Sequence, residues 1–324
     1  MTIATNAFST YSQVGIKENV SKIITNITPD ETPLYSTLSK FTIKDRLYQW
    51  QTDSLATPVT TNAQLEGDVV SAAATTATTM LNNRSQISYK SLSVTDTART
   101  VSTYGREDEY DYQVMKRGRE LKTDVEVGLL KNSAKDVGSA GTARVCAGLP
   151  TYITNVAYGT APAGTGADTA TAGAATALTY AMLSSAITLA YVAGGNPSIM
   201  MLPPVLKKKF SALAFSSTPS TADVRYDVKN DRAPAAIGTV DRWLSDFGMI
   251  DVVPNRQMAR VSDSFTNTAV YLLDPSKARV GVLQDTEVVP LAKRGLADEA
   301  FIRIEFTLEV SAPSAHAGIY GVNA

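Results

Sequence analysis

The spacing of hydrophobic and polar positions changes several times along the chain, and each change predicts an element. The sharpest pattern lies in "AFIRIEFTLEV". There Ile302, Ile304, Phe306, Leu308 and Val310 fall on one face of a strand, and Phe301, Arg303, Glu305, Thr307 and Glu309 on the other. Such alternation predicts a one-sided strand whose apolar face needs a cover. A matching stripe occurs far upstream. Across "REDEYDYQVMKRGRELKTDVEVGLLKNSAKD", Val114, Gly118, Leu121, Val125 and Leu129 recur at steps of three and four. This predicts a helix over residues 106–136, about 45 Å long at ~1.5 Å per residue. Glu107, Asp108 and Glu109 crowd its start, where the helix dipole favours acids. Lys122 and Glu126 form an i,i+4 pair. The stripe and the strand face are expected to pack together, which makes everything between them an insertion.

Two strand-like runs precede the helix. Phe41–Asp53 alternates as Phe41 and Ile43, then one step out of phase as Tyr48 and Trp50. Gln86–Asp96 alternates as Ile87 and Tyr89, then Leu92 and Val94. Each slip suggests a bulge or a strong twist. The polar stretch between them, containing "QLEGDVV", is too long for an ordinary hairpin turn. The two runs are expected to pair as a long arm with a polar tip, marginal alone and leaning on another subunit. Residues 1–40, cut by Pro29 and Pro33, read as a further arm. After the helix, "YGTAPAGTGADTATAGAATA" reads as a surface loop. An α/β unit follows. Helices are predicted over Leu178–Val192 and Pro203–Phe215, and strands over Ser198–Pro203, Met249–Pro254 and Ala269–Asp274.

Composition adds little positive chemistry. The chain is 44% hydrophobic with a net charge of −1, so it can bury a large core and carries no basic excess for gripping phosphates. The start, "MTIATNAFSTYS", lacks the pattern of a secretory signal. The segment Leu178–Gly195 carries Ser and Thr throughout and reads as a core helix rather than a membrane span. The single cysteine, Cys146, and the single histidine, His316, would both have to serve any Cys/His hydrolase. No G-x-S-x-G, H-E-x-x-H, C-x-x-C or G-x-x-x-x-G-K-[ST] occurs. The acids at 107–111 read as a helix start, Lys207–Lys209 as a solvated face, and "GTGADTATAG" as a loop without the strand–turn–helix setting of a phosphate site. His316 reads as a turn or packing residue fixing the C-terminal segment. No catalytic residue, metal or cofactor is expected.

The order of parts resembles the major capsid proteins of tailed bacteriophages, the HK97-like fold. The likeness is carried by "YSQVGIKENVSKIITNITPDETPLYSTL" with "YQWQTDSLA", by "GREDEYDYQVMKRGRELKTDVEVGLLKN", by "AGLPTYI", and by "LAKRGLADEAFIRIEFTLEVSAPSAHAGI". It implies an α+β fold with an N-arm (1–40), an E-loop (41–100), a P-domain (101–150 and 286–324) holding the long spine helix, and an A-domain (151–285). It further implies a non-enzymatic shell subunit forming pentamers and hexamers of an icosahedral head in the virion. Double-stranded DNA would lie inside without sequence-specific binding, and no membrane would be involved. The resemblance also implies portal and a cement or decoration protein as further partners, and any scaffold is expected to be a separate protein or absent, because the chain lacks a long charged helical N-terminal extension. No crosslink is expected. The residues expected at subunit contacts are Trp50, Glu66, Asp68, Arg84, Arg106 and Glu107. An encapsulin-like nanocompartment shell is the alternative with the same fold.

Overall fold

The alternating strand and the long helix meet as their patterns require. The structure is a computed structural model describing residues 31–69, 75, 77–101, 108–214, 240–260, 264–293 and 295–323. The elements begin with α1 (Pro33–Thr37), β1 (Ser39–Thr42), β2 (Leu47–Thr52), β3 (Thr79–Arg84), β4 (Gln86–Thr95), α2 (Asp96–Thr100) and α3 (Glu109–Leu130). Next come β5 (Asn155–Tyr158), β6 (Thr176–Ala177), α4 (Tyr180–Val192), β7 (Ile199–Leu202) and α5 (Pro204–Ala214). The remainder is β8 (Arg242–Ser245), β9 (Gly248–Pro254), α6 (Arg256–Arg260), α7 (Ser264–Asn267), β10 (Ala269–Leu273), β11 (Ala278–Pro290), β12 (Ala297–Val310), β13 (Ala317–Tyr320) and β14 (Val322–Asn323).

One sheet has the order β1-β11-β12-β4. The even-numbered apolar residues of β12 share a core with Leu121, Val125 and Leu129 of α3. At one of its two glycines the helix lies too close for a side chain to fit comfortably, and at the other it is in ordinary contact. A Cβ at Gly128 would sit 3.3 Å from the Phe306 ring, and one at Gly118 would sit 4.0 Å from Ile302. The helix stops at Leu130, earlier than the periodicity suggests, and is about 33 Å long. Lys131 turns extended, and the Lys131 carbonyl packs against Gly148 so tightly that a Cβ there would collide. Asn132 then exchanges two hydrogen bonds with the Ala170 backbone, at 2.7 and 3.1 Å, which competes with helix continuation.

The expected pairing of Phe41–Asp53 with Gln86–Asp96 does not occur. β2 pairs antiparallel with β3, while β4 crosses over to pair with β12. The phase slip before Tyr48 is a change of sheet: Phe41 lies in β1 beside β11, and the chain turns before entering β2. There is no slip in β4. Its register with β12 runs unbroken, with Leu92 and Val94 inward and Ile87 and Tyr89 exposed. The sheet's irregularities lie instead along β11.

The second sheet has the order β5-β13-β10-β7-β9-β8. β10 is buried throughout: Val270 and Leu272 face α4, and Tyr271 and Leu273 face the main core. Residues 278–285 thus belong to the four-stranded sheet, and residues 317–320 sit inside the six-stranded one. The Gly/Ala/Thr tract is packed rather than loose. Gly166, at φ +75°, lies on the Tyr152 ring, where any side chain would collide.

Candidate assembly site

The arm is rooted on the polar face of β12. Although that face is polar, Glu305, Thr307 and Glu309 are buried, because β2 and β3 lie across it. Glu305 accepts from Ser85 Oγ at 2.5 Å and from Arg144 at 2.6 Å. Arg279 grips both Glu309 oxygens through Nη2, at 2.8 and 2.9 Å. Each buried carboxylate is thus paired with a guanidinium that keeps contact with water, Arg144 being 25% and Arg279 45% exposed, so the buried charge does not stand alone. Burial, with Glu309 nearby, pushes the Tyr48 phenol above its usual range. Asn83 Nδ2 donates to the Leu308 carbonyl at 2.7 Å, and Asn83 Oδ1 accepts from the Ala147 N–H at 2.9 Å.

Trp50 completes this root. Its Nε1–H donates to the Val310 carbonyl at 2.9 Å, and its ring lies 5.8 Å from those of Tyr48 and Tyr152. It is 8% exposed. Beyond the root the arm is exposed from Asp53 to Val69. Glu66 and Asp68 sit in a turn closed by the Asp68 N–H on the Leu65 carbonyl (3.1 Å), with Gly67 at φ +84°. Arg84 lies at the root on the outward side of β3, partly exposed. Arg106 and Glu107 lie outside the described residues. Glu66, Asp68 and Arg84 thus offer surface, whereas Trp50 is an internal anchor.

Residue periodicity missed Glu126. Read only as the i,i+4 partner of Lys122, it is fully buried. Its Oε1 accepts from the Leu34 N–H (2.9 Å) and Asn255 Nδ2 (2.7 Å), and its Oε2 from the Tyr35 N–H (2.7 Å). One carboxylate therefore ties α1, α3 and the segment after β9 together. Burial raises its pKa, and the two N–H groups and the amide partly offset that. The available signal was a charged residue beside Val125 on the apolar stripe.

The groups weighed for catalysis are not brought together. Cys146 is buried, its thiol pushed up to about 11 by desolvation, and its partners are Asn83, Ala147 and Thr307. His316 is buried elsewhere, with Nδ1 accepting from the Asp274 N–H at 3.2 Å. Desolvation lowers its pKa to about 4, against smaller opposing effects of Asp274 and the Lys277 backbone. Its Nε2 has no partner in hydrogen-bonding geometry among the described residues, although that backbone lies near. Asp108 caps α3, accepting from the Tyr110 N–H at 2.8 Å, and pairs with Arg99. Lys207 pairs with Asp241 at 3.2 Å. Among the described residues no group of three acids, histidines or cysteines could hold a metal ion, and no helix is long and apolar enough to cross a membrane.

Comparison with known proteins follows the same line. A major capsid protein of Escherichia phage Phieco32 is 37% identical over 128 residues, covering 40% of this chain and 36% of that protein. The match therefore spans little over a third of that relative's length. The capsid of a native GTA particle superposes with a TM-score of 0.65 at 12% identity, covering 99% of this chain and 100% of that one. A chain of Gordonia phage Cozz gives 0.61 at 13% identity, covering 99% and 97%. The SrpI encapsulin of Synechococcus elongatus PCC 7942 gives 0.56 at 11% identity, covering 94% and 93%. These likenesses establish the HK97-like fold. The SU10 major capsid protein family model matches residues 3–323, nearly the whole sequence, and the chain belongs to that family.

Proposed function

We propose that the chain is the shell subunit of a tailed-phage head, closing as pentamers and hexamers around double-stranded DNA that it holds without sequence preference. The observation that carries this is the family match across residues 3–323. The architecture supports it. An arm rooted by Trp50, Asn83 and paired charges, yet exposed beyond its root, is suited to reaching another copy. In this reading residues 1–40 are the N-arm and 41–100 the E-loop. The P-domain holds the spine helix and the four-stranded sheet, to which the N-arm and E-loop segments lend β1 and β4, and the A-domain is built on the six-stranded sheet. The subunit assembles in the host cytoplasm, acts without catalysis, and meets portal, decoration and scaffold proteins as separate chains. A buried thiol and a buried histidine, each held by different partners, support the non-catalytic role.

The test is direct. The purified chain is expected to give closed shells by negative-stain microscopy, and particles from infected cells are expected to contain DNA. Monomers under all ionic conditions would sink the shell reading. Particles filled with an enzyme would favour the nanocompartment reading, which has the encapsulin's fold likeness behind it.

A further inference from the structure

The long helix is held unequally along its length. Every fully buried residue of α3 lies from Leu121 onward. Residues 109–120 bury no side chain completely. Tyr110 and Val114 are half-buried against a satellite cluster of Leu92, Val94 and Ala300, and Val114 also meets the main core. Gly118 stands between the two halves, and glycine holds a helix less firmly than alanine does.

What the front half lacks in apolar burial it has in charge. Asp108, which caps α3, accepts from Arg99 of α2 at 2.8 Å. The other arm of the same guanidinium donates to Asp298 of β12 at 2.6 Å. Lys293, in the connection from β11 to β12, lies 2.7 Å from Asp96 of α2 and 3.4 Å from Asp298. Asp298 is therefore shared by both cations. The Arg99 guanidinium also sits over the Tyr110 ring, 5.2 Å from its centre. Its hydrogen bonds hold the Asp108 and Asp298 carboxyls below the usual carboxylate range, so the network is fully charged at neutral pH. Solvent ions reach it: Asp96, Arg99, Asp108 and Asp298 line an open cleft, and Lys293 is 51% exposed.

We propose that Asp96, Arg99, Asp108, Lys293 and Asp298 form a salt-sensitive latch on the front half of α3. At low ionic strength the latch closes the start of the helix onto the sheet. Screening releases it, and residues 109–117 open while the half beyond Gly118 stays in the core. One exposed ion pair would be too weak for this. A planar guanidinium spanning two carboxylates, one of them shared with a second cation, is a network whose members hold one another in place. α2 follows β4 directly, and the Asp96 N–H donates to the Leu296 carbonyl at 3.1 Å, so the latch also clasps that end of the four-stranded sheet. Every part of the device belongs to one chain, so it goes beyond the shell-subunit reading and does not rest on it.

Amide hydrogen exchange on the full-length chain in its unassembled form tests this. Raising salt from about 0.1 M to about 1 M shortens the screening length from about 10 Å to about 3 Å. The amides of residues 112–116 are expected to exchange about fivefold faster at the higher salt, while those of residues 125–129 keep their rate. Arg99→Gln is expected to give the fast front-half exchange already at low salt and to remove its salt dependence. Adding Asp298→Asn to it should change nothing further, because both break one network. Arg303→Gln, which removes the ion pair of β12 with Glu287, should leave the parent's salt response intact. The salt series on the parent chain decides the matter if a variant fails to fold, as read by its thermal melt. Front-half exchange indifferent to salt, or the parent's salt response surviving in Arg99→Gln, would overturn the latch. Equal acceleration of both halves would overturn it too, since that is general loosening.

Discussion

Single side chains decide more of this molecule than their number suggests. Glu126 is surrounded by donors only, so its charged form is the one the site can satisfy. Glu126→Ala would leave two buried N–H groups and an amide without an acceptor. A loss of about 3 kcal/mol is expected, read as a lower denaturant midpoint, with faster tryptic cleavage at Lys40 as α1 loosens. An unchanged midpoint would show that water replaces the carboxylate. His316 gives a pH signature. The unfolded ring takes its proton near 6.5 and the folded ring near 4, so the unfolded chain binds more protons in that window. Stability should therefore fall as pH drops from 6.5 to 4, by up to about 3 kcal/mol from this group. His316→Asn keeps an acceptor for the Asp274 N–H and should flatten that part of the profile. A variant with the parent's acid slope would exclude His316 as its source. The sequence made His316 legible as a packing group because it follows the clearest strand, whereas Glu126 was hidden by its spacing from Lys122.

At the level of elements, legibility followed the strength of the local pattern. α3 and β12 declared themselves and their contact, because each carries an unbroken apolar stripe that only the other can cover. β3 did not. Its sequence TMLNNR buries one apolar residue, Leu81, and one asparagine, so nothing in it distinguishes a strand from the polar loop before it. β4 was legible as a strand and then paired wrongly, since alternation fixes a face but not a neighbour. Now that β2 and β3 are placed, the arm can be shortened without touching its root. Replacing residues 54–77 by Asn-Gly, a turn suited to two-residue hairpins, should leave the melting midpoint near that of the parent. The same deletion should abolish closed shells by microscopy. Normal shells would show that the arm's exposed length has no part in assembly.

The whole molecule is organised by chain crossings rather than by consecutive domains. The four-stranded sheet joins β1 and β4 to β11 and β12, and the six-stranded sheet places β13 between β5 and β10. This long-range wiring was only partly legible: the return of β12 to α3 could be inferred, but not the return of β13, a four-residue strand without alternation. Shell proteins must avoid associating before they are whole, and here the topology itself imposes order on synthesis. A nascent chain that has not yet released residues 297–320 lacks the central partner of β4 and β11 and the link between β5 and β10. Neither sheet can close until residues 297–320 have left the ribosome. An arm without a folded root then has no surface to offer, so a subunit becomes competent to join others only once residues 297–320 have been made and paired.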